Sequence, residues 1–103
     1  MPCHLTKRWG EGIANPSEKD LLSALDELKR KDPEHPDCWV SDEEGWSVSA
    51  HEGGLVVLEN VETGEGPWHM RDVAPQSVHK YWRLLIDGDI ASLKGLSWKP
   101  GYS

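Results

Sequence analysis

Apolar residues between positions 17 and 31 recur at the spacing of one helical face. Four leucines form this stripe: Leu21, Leu22, Leu25 and Leu28. Asn15 can cap the helix, Pro16 suits its first position, and Glu18 can reach back to the cap. Residues 29–31 are all basic and lie at the negative end of the helix dipole, and a segment with two prolines follows them. We therefore expect an amphipathic helix that starts at the Asn15 cap and closes at residues 29–31.

The pattern then changes to the two-residue period of β-strands. Three strands are predicted, at residues 38–41, 46–51 and 55–61. In the second strand Trp46, Val48 and Ala50 are expected to point inward. Its other three residues are expected to point outward: Ser47, Ser49 and His51. Short turns at residues 42–45 and 52–54 join the strands, so we predict an antiparallel meander.

A loop rich in turn residues follows at 62–67, and residues 68–70 form either a fourth short strand or an ordered loop. A second amphipathic helix is predicted from about Pro75 to Asp87, with Gly88 as the residue that ends it. Apolar residues of the tail, 90–98, are expected to pack on the core. The predicted fold is α+β: a single domain, 1–103, whose antiparallel meander of three to five strands is covered by two amphipathic helices.

Charge is distributed unevenly along the chain. Residues 32–70 hold ten of the eighteen carboxylates and none of the eleven lysines and arginines, and the net charge is −7. Such a block argues against nucleic-acid binding, which needs clustered cations, and favours a basic protein partner. The alternative is a solvated acidic face that only keeps the protein soluble.

The predictions for cellular location and for cofactors rest on features that the sequence does not contain. It contains no apolar run long enough for a membrane span, and its first residues do not open a signal peptide. We therefore expect a cytoplasmic protein. Cys3 and Cys38 form no C-x-x-C pair, so both are expected to remain thiols. Cys38 lies in an apolar strand pattern and is interpreted as a core residue. No cofactor is predicted.

Candidate catalytic groups are His51, Glu52 and His69, which lie near strand ends and suggest a small metal-dependent or hydrolytic enzyme. No H-x-x-x-H or H-E-x-x-H spacing supports a metal site. Serine or Cys38 nucleophiles near these histidines lack a nucleophile-elbow context. No catalytic or metal-binding residue is therefore predicted, and the enzyme remains an alternative.

The stronger candidates for a contact surface are the 42–45 turn and the 62–67 loop. Depending on strand register, they lie at the same end of the sheet. They would then offer five carboxylates to a partner: Asp42, Glu43, Glu44, Glu62 and Glu65. A calcium site is the competing idea, but the spacing does not match an EF-hand loop. Trp68 beside the loop is either an interface anchor or a core residue.

The order of elements resembles the Imm1 family of immunity proteins from bacterial polymorphic toxin systems. The matching pieces are the leucine-rich helix, the meander at 38–61, Tyr81-Trp82 in the second helix, and Trp98 near the end. The resemblance covers about residues 17–98. It implies a protein without catalysis of its own, which binds and neutralises a partner toxin, often a nuclease or deaminase.

The leading hypothesis is therefore an immunity protein that occludes a cognate toxin with an acidic surface. The second is the small enzyme described above. The third is a non-catalytic structural or regulatory subunit with a solvated acidic face. A homodimer through an open edge of the meander is compatible with each of them.

Overall fold

The computed structural model describes residues 3–102. The single-domain prediction also includes Met1, Pro2 and Ser103, which lie outside the described residues. Within residues 3–102 there are seven strands and three α-helices, together with one short 3-10 helix at Glu52–Gly54. In chain order the strands and α-helices are β1 Cys3–Thr6, β2 Gly12–Ala14, α1 Glu18–Glu27, β3 Asp37–Asp42, β4 Trp46–His51, β5 Val56–Asn60, β6 Trp68–Met70, α2 Pro75–Ile86, α3 Ile90–Lys94 and β7 Lys99–Pro100.

The strands form one antiparallel sheet in the order β2-β1-β3-β4-β5-β6-β7. The α+β class is confirmed, but the predicted count of three to five strands is wrong. The additional strands are short: β2 has three residues and β7 has two. Strands of that length show no alternation, so their pairing with a longer neighbour, rather than their own sequence, defines them.

The core lies between the sheet and the helices. Along β4 the predicted alternation is confirmed, since Trp46, Val48 and Ala50 are buried while the residues between them stay partly exposed. Helix α2 packs on β3 and β4. Its Trp82 is completely buried, and the indole Nε1 donates a hydrogen bond to Val48 O at 3.0 Å. In the described residues, all three helices place their buried side chains in this one core.

Helix α1 begins later than predicted. Ser17, rather than Asn15, is the cap: Asp20 N donates to Ser17 Oγ at 3.2 Å, and Ser17 N donates to Asp20 Oδ2 at 2.8 Å. This reciprocal pair is a capping box. Asn15 is used elsewhere, because its backbone N–H donates to Cys3 O at 2.7 Å and joins it to β1.

The end of α1 also differs from the prediction. The helix ends at Glu27, and residues 28–30 continue as a turn with i→i−3 hydrogen bonds. The cation that lies at the C-terminus of α1 is Arg8, which belongs to the turn between β1 and β2. The Arg8 side chain has no exposed surface, and its guanidinium donates to the carbonyl oxygens of Glu27 and Arg30. A buried side chain from a distant segment therefore replaces the predicted basic residues 29–31.

The C-terminal part agrees with the prediction for α2, which runs to Ile86 and is followed by Gly88 at a φ of +76°. Helix α3 was not predicted, but Leu93 within it is buried, so the tail packs on the core as expected. Trp98 Nε1 donates to Leu93 O at 2.7 Å. None of the helices in residues 3–102 combines the length and apolar character that a membrane crossing needs.

Candidate functional site

The 42–45 turn is organised by its first carboxylate. Asp42 Oδ1 accepts hydrogen bonds from Glu44 N at 3.0 Å and from Trp46 N at 2.9 Å. Asp42 therefore shapes the turn from within, as a short acidic side chain commonly does. Glu43 and Glu44 are exposed and extend from it.

The 62–67 loop is organised by Asn60, a buried polar residue at the end of β5. Its Oδ1 accepts hydrogen bonds from Glu62 N at 2.9 Å and Thr63 N at 3.0 Å. Its Nδ2 donates to Glu44 O at 3.1 Å, which lies in the neighbouring turn. One side chain thus fixes the 62–67 loop and joins it to the 42–45 turn.

The two acidic segments lie side by side at one end of the sheet. The sequence could not decide this proximity, because it depends on the register of the strands. Trp46 is paired with Asn60 in the ladder between β4 and β5. Val61 N donates to Gly45 O at 3.0 Å. Gly45 has a φ of +93°, and a Cβ there would lie 2.6 Å from Asn60 Oδ1 and 2.7 Å from Glu62 Cγ. We call this end of the sheet, residues 42–45 with 60–66, the acidic edge.

The five predicted carboxylates of the acidic edge are not equivalent. Lys94 Nζ of α3 donates to Glu65 Oε1 at 3.0 Å, and this hydrogen bond lowers the pKa of Glu65. Lys94 also lies over the Trp46 ring, 5.4 Å from its centroid. The Asp42 carboxylate accepts hydrogen bonds from its own turn. The other three carboxylates are exposed and make no ion pair within residues 3–102: Glu43, Glu44 and Glu62.

Trp68 is half-buried and packs against the core. It is paired with Leu58 in the ladder between β5 and β6, so it faces the side of the sheet that carries the helices. This placement agrees with the packing interpretation. A role as an interface anchor stays a prediction.

Replacing Gly45 with alanine tests how tightly the acidic edge is assembled. The added Cβ meets Asn60 and Glu62, so we expect the turn and the loop to separate. Gly53→Ala is the matched control, since Gly53 has a φ of +81° but open space around it. We expect the control to cost about 1–2 kcal/mol from backbone strain alone. Gly45→Ala should cost about 1–3 kcal/mol more, from overpacking. Urea unfolding measures both, and equal losses would contradict the close contact.

The candidate catalytic residues do not form a common site. Glu52 binds the guanidinium of Arg8 and accepts a hydrogen bond from Asp32 N at 2.6 Å. These donors, the Asp32 amide first, hold the pKa of Glu52 below its usual range. His69 is buried, and its Nδ1 lies 3.0 Å from Gly101 O. His51 has a separate set of neighbours on β3 and β4.

Those neighbours are Ser49 and Asp37, which superficially suggest a catalytic triad. Ser49 Oγ lies 3.3 Å and Asp37 Oδ2 4.0 Å from the same His51 nitrogen, Nε2. A triad needs the nucleophile and the carboxylate on opposite ring nitrogens. The arrangement therefore cannot relay a proton from serine through the imidazole.

Two further observations concern cysteine and metal chemistry. Cys38 is completely buried, as predicted, and burial raises the pKa of its thiol to about 12. A thiolate nucleophile is thus disfavoured near neutral pH. Within residues 3–102, no three His, Cys, Asp or Glu side chains are grouped so that they could hold a metal ion.

Asn60 is the residue of this site that the sequence analysis missed. It occupies an inward position of β5, two residues after the buried Leu58. An asparagine at the end of an apolar alternation is the signal that could have identified it. Comparisons with protein-family models, with curated proteins and with solved structures find no match to this chain.

Proposed function

We propose that this chain is a protein-binding module, an immunity protein that neutralises a cognate bacterial toxin in the cytoplasm. The observation that carries the proposal is the acidic edge, where two loops distant in sequence are held together and expose Glu43, Glu44 and Glu62. The buried Asn60 fixes the backbone from which these charges extend.

The negative charge of the acidic edge favours one kind of partner. Proteins that act on nucleic acids carry basic clefts, because they must neutralise phosphates. An acidic surface attracts such a cleft, accelerates association and can block access to it. A toxin of the nuclease or deaminase type is therefore the partner class that suits the acidic edge best.

The arrangement of elements supports the same proposal. The elements on which the resemblance to Imm1 proteins rests are the first helix, the meander, the second helix with Tyr81 and Trp82, and Trp98 near the end. Tyr81 and Trp98 lie in contact, with ring centroids 6.1 Å apart. These two aromatic residues therefore pack against each other, and we assign the binding role to the loops at the acidic edge.

The experiment is charge reversal at the acidic edge. In a Glu43→Lys, Glu44→Lys double variant, we expect the association rate with the cognate toxin domain to fall about tenfold at low salt. The salt dependence of that rate should weaken in parallel. Stopped-flow or surface plasmon resonance measures both quantities.

The matched control reverses two carboxylates at the other end of the sheet, Glu11→Lys with Glu34→Lys. It changes the net charge by the same amount but leaves the acidic edge intact. We expect its association rate to stay close to that of the unmodified protein. If both double variants lose rate equally, only net charge matters, and the acidic edge is not the contact surface.

A further inference from the structure

The face of the sheet opposite the helices has a trough along β4. The outward residues Ser47 and Ser49 are small, so they form a low floor. Ser49 is paired with Trp39 of β3 on one side and with Val57 of β5 on the other. Neighbouring strands are about 4.8 Å apart, which places these two walls about 10 Å from each other across β4. The hollow between them has a volume of about 300 Å³.

The chemistry of the trough is aromatic and acidic. Trp39 and Tyr102 line it together with His51, and two carboxylates, Asp37 and Glu59, lie along its sides. Asp37 Oδ2 lies 4.0 Å from His51 Nε2, so Glu59 is the carboxylate of the trough that has no histidine beside it among the ion pairs of residues 3–102. The Tyr102 hydroxyl donates to Glu59 Oε2 at 2.7 Å, which leaves Glu59 Oε1 without a partner among the described residues. None of the described residues that line the trough is a lysine or arginine.

We propose that the trough receives an arginine side chain of the basic protein partner. This inference rests on the proposed function and names what that partner presents. A guanidinium is planar, stacks on aromatic rings and binds carboxylates through paired donors. A lysine ammonium gains less here, because it is a strongly hydrated point charge without a planar fork.

The trough and the acidic edge are continuous. Val61 lines the trough and follows Asn60 directly, and its backbone N–H binds Gly45 O. Val61 is also 70% exposed, so the trough opens onto the acidic edge. The complex would then have exposed glutamates that steer approach and a central pocket that retains one side chain, as in interfaces with a hot spot surrounded by weaker contacts.

The first test uses short peptides in place of the unidentified partner. The probes are Ac-Gly-Arg-Gly-Arg-Gly-NH₂, its lysine counterpart and its uncharged citrulline counterpart, titrated into ¹⁵N-labelled protein. We expect the arginine peptide to shift the Trp39 indole and the Ser47 and Ser49 amides. The lysine peptide should bind more weakly, and the citrulline peptide should cause no shift. Equal affinity for arginine and lysine, or shifts confined to residues 43, 44 and 62, would overturn the proposal.

The second test fills the trough. In Ser49→Leu, a larger side chain occupies the floor between Trp39 and Val57, and we expect arginine-peptide affinity to fall about tenfold. Ser41→Leu is the matched control, since Ser41 is also an outward serine, paired with Ser47, but it does not line the trough. Its affinity should stay within about twofold of the unmodified protein. Equal effects of the two variants would contradict the proposal. It would also be contradicted if the unmodified protein self-associates through this face and Ser49→Leu abolishes that self-association.

The two proposals fail in different measurements. With the toxin, Ser49→Leu should raise the dissociation rate, while the double variant at Glu43 and Glu44 should lower the association rate. An unchanged dissociation rate in Ser49→Leu overturns the arginine pocket and leaves the acidic edge supported. An unchanged association rate in the double variant, with a raised dissociation rate in Ser49→Leu, overturns the steering surface alone.

Discussion

Replacing Arg8 with methionine is expected to lower the free energy of unfolding by about 3–5 kcal/mol. The Arg8 side chain is wholly buried, and its guanidinium donates five hydrogen bonds. Four of these reach backbone carbonyls at the end of α1 and in the segment that follows, and the fifth reaches the Glu52 carboxylate. Methionine fills similar space but leaves those acceptors unpaired in the interior, which is the costly outcome.

The matched control for Arg8 is Arg30→Met. Arg30 contributes its carbonyl oxygen to the Arg8 guanidinium at 2.7 Å, whereas its side chain is exposed. We expect the control to change stability by no more than about 0.5 kcal/mol. Arg8→Lys should fall between the two, because it keeps the charge and loses the forked donors. Guanidinium chloride unfolding followed by circular dichroism compares all three, and similar losses for Arg8→Met and Arg30→Met would refute the role assigned to Arg8.

The parts of the fold that the sequence predicted are those whose patterns are local. The alternation at 46–51 identified β4 to the residue, and the stripe of α2 with Gly88 after it gave that helix within one residue. The hairpin of β1 and β2 gives a much weaker signal, because its strands are four and three residues long and only Cys3 and Leu5 of β1 alternate with polar residues. These strands exist because β3 offers an edge for pairing, and pairing partners are not encoded in a short segment.

The end of α1 was mispredicted for a related reason. Basic residues at 29–31 match the usual preference for cations at a helix C-terminus. The structure instead satisfies those carbonyls with Arg8, which is nineteen residues before Glu27 in the chain. A contact between segments that far apart depends on the sheet bringing them together, so no local rule could have selected Arg8 over its neighbours.

The position of the candidate site could be predicted in outline, but the sequence could not show which of its carboxylates are exposed and which make internal contacts. Composition and turn patterns correctly located both acidic segments, and β-pairing brought them together. Which carboxylates remain available depends on tertiary contacts: Asp42 is used by its own turn, and Glu65 by Lys94. The rest of the acidic block divides in the same way, since Glu52 pairs with Arg8 whereas Glu34 is exposed and makes no ion pair within residues 3–102. The block thus combines structural carboxylates with a small exposed set.

The contact between α2 and the sheet gives the other large expected effect. Replacing Trp82 with alanine should lower the free energy of unfolding by about 3–5 kcal/mol, because a fully buried indole is lost and a cavity remains. Domains of this size are stable by only about 5–15 kcal/mol, so the variant should be close to unfolding at room temperature. Urea titration followed by far-ultraviolet circular dichroism is the suitable measurement, since removing a tryptophan alters fluorescence.

Trp82→Phe separates the two contributions of the indole. Phenylalanine keeps most of the apolar contact but leaves Val48 O without the hydrogen bond at 3.0 Å that Nε1 now donates. We expect a loss of about 1–3 kcal/mol, from the smaller ring and the lost hydrogen bond together. Trp9→Ala is the control, since the Trp9 residue is 48% exposed, and its loss should be about 1 kcal/mol. A loss for Trp82→Ala no larger than that of Trp9→Ala would mean that α2 does not depend on this side chain to hold it against β3 and β4.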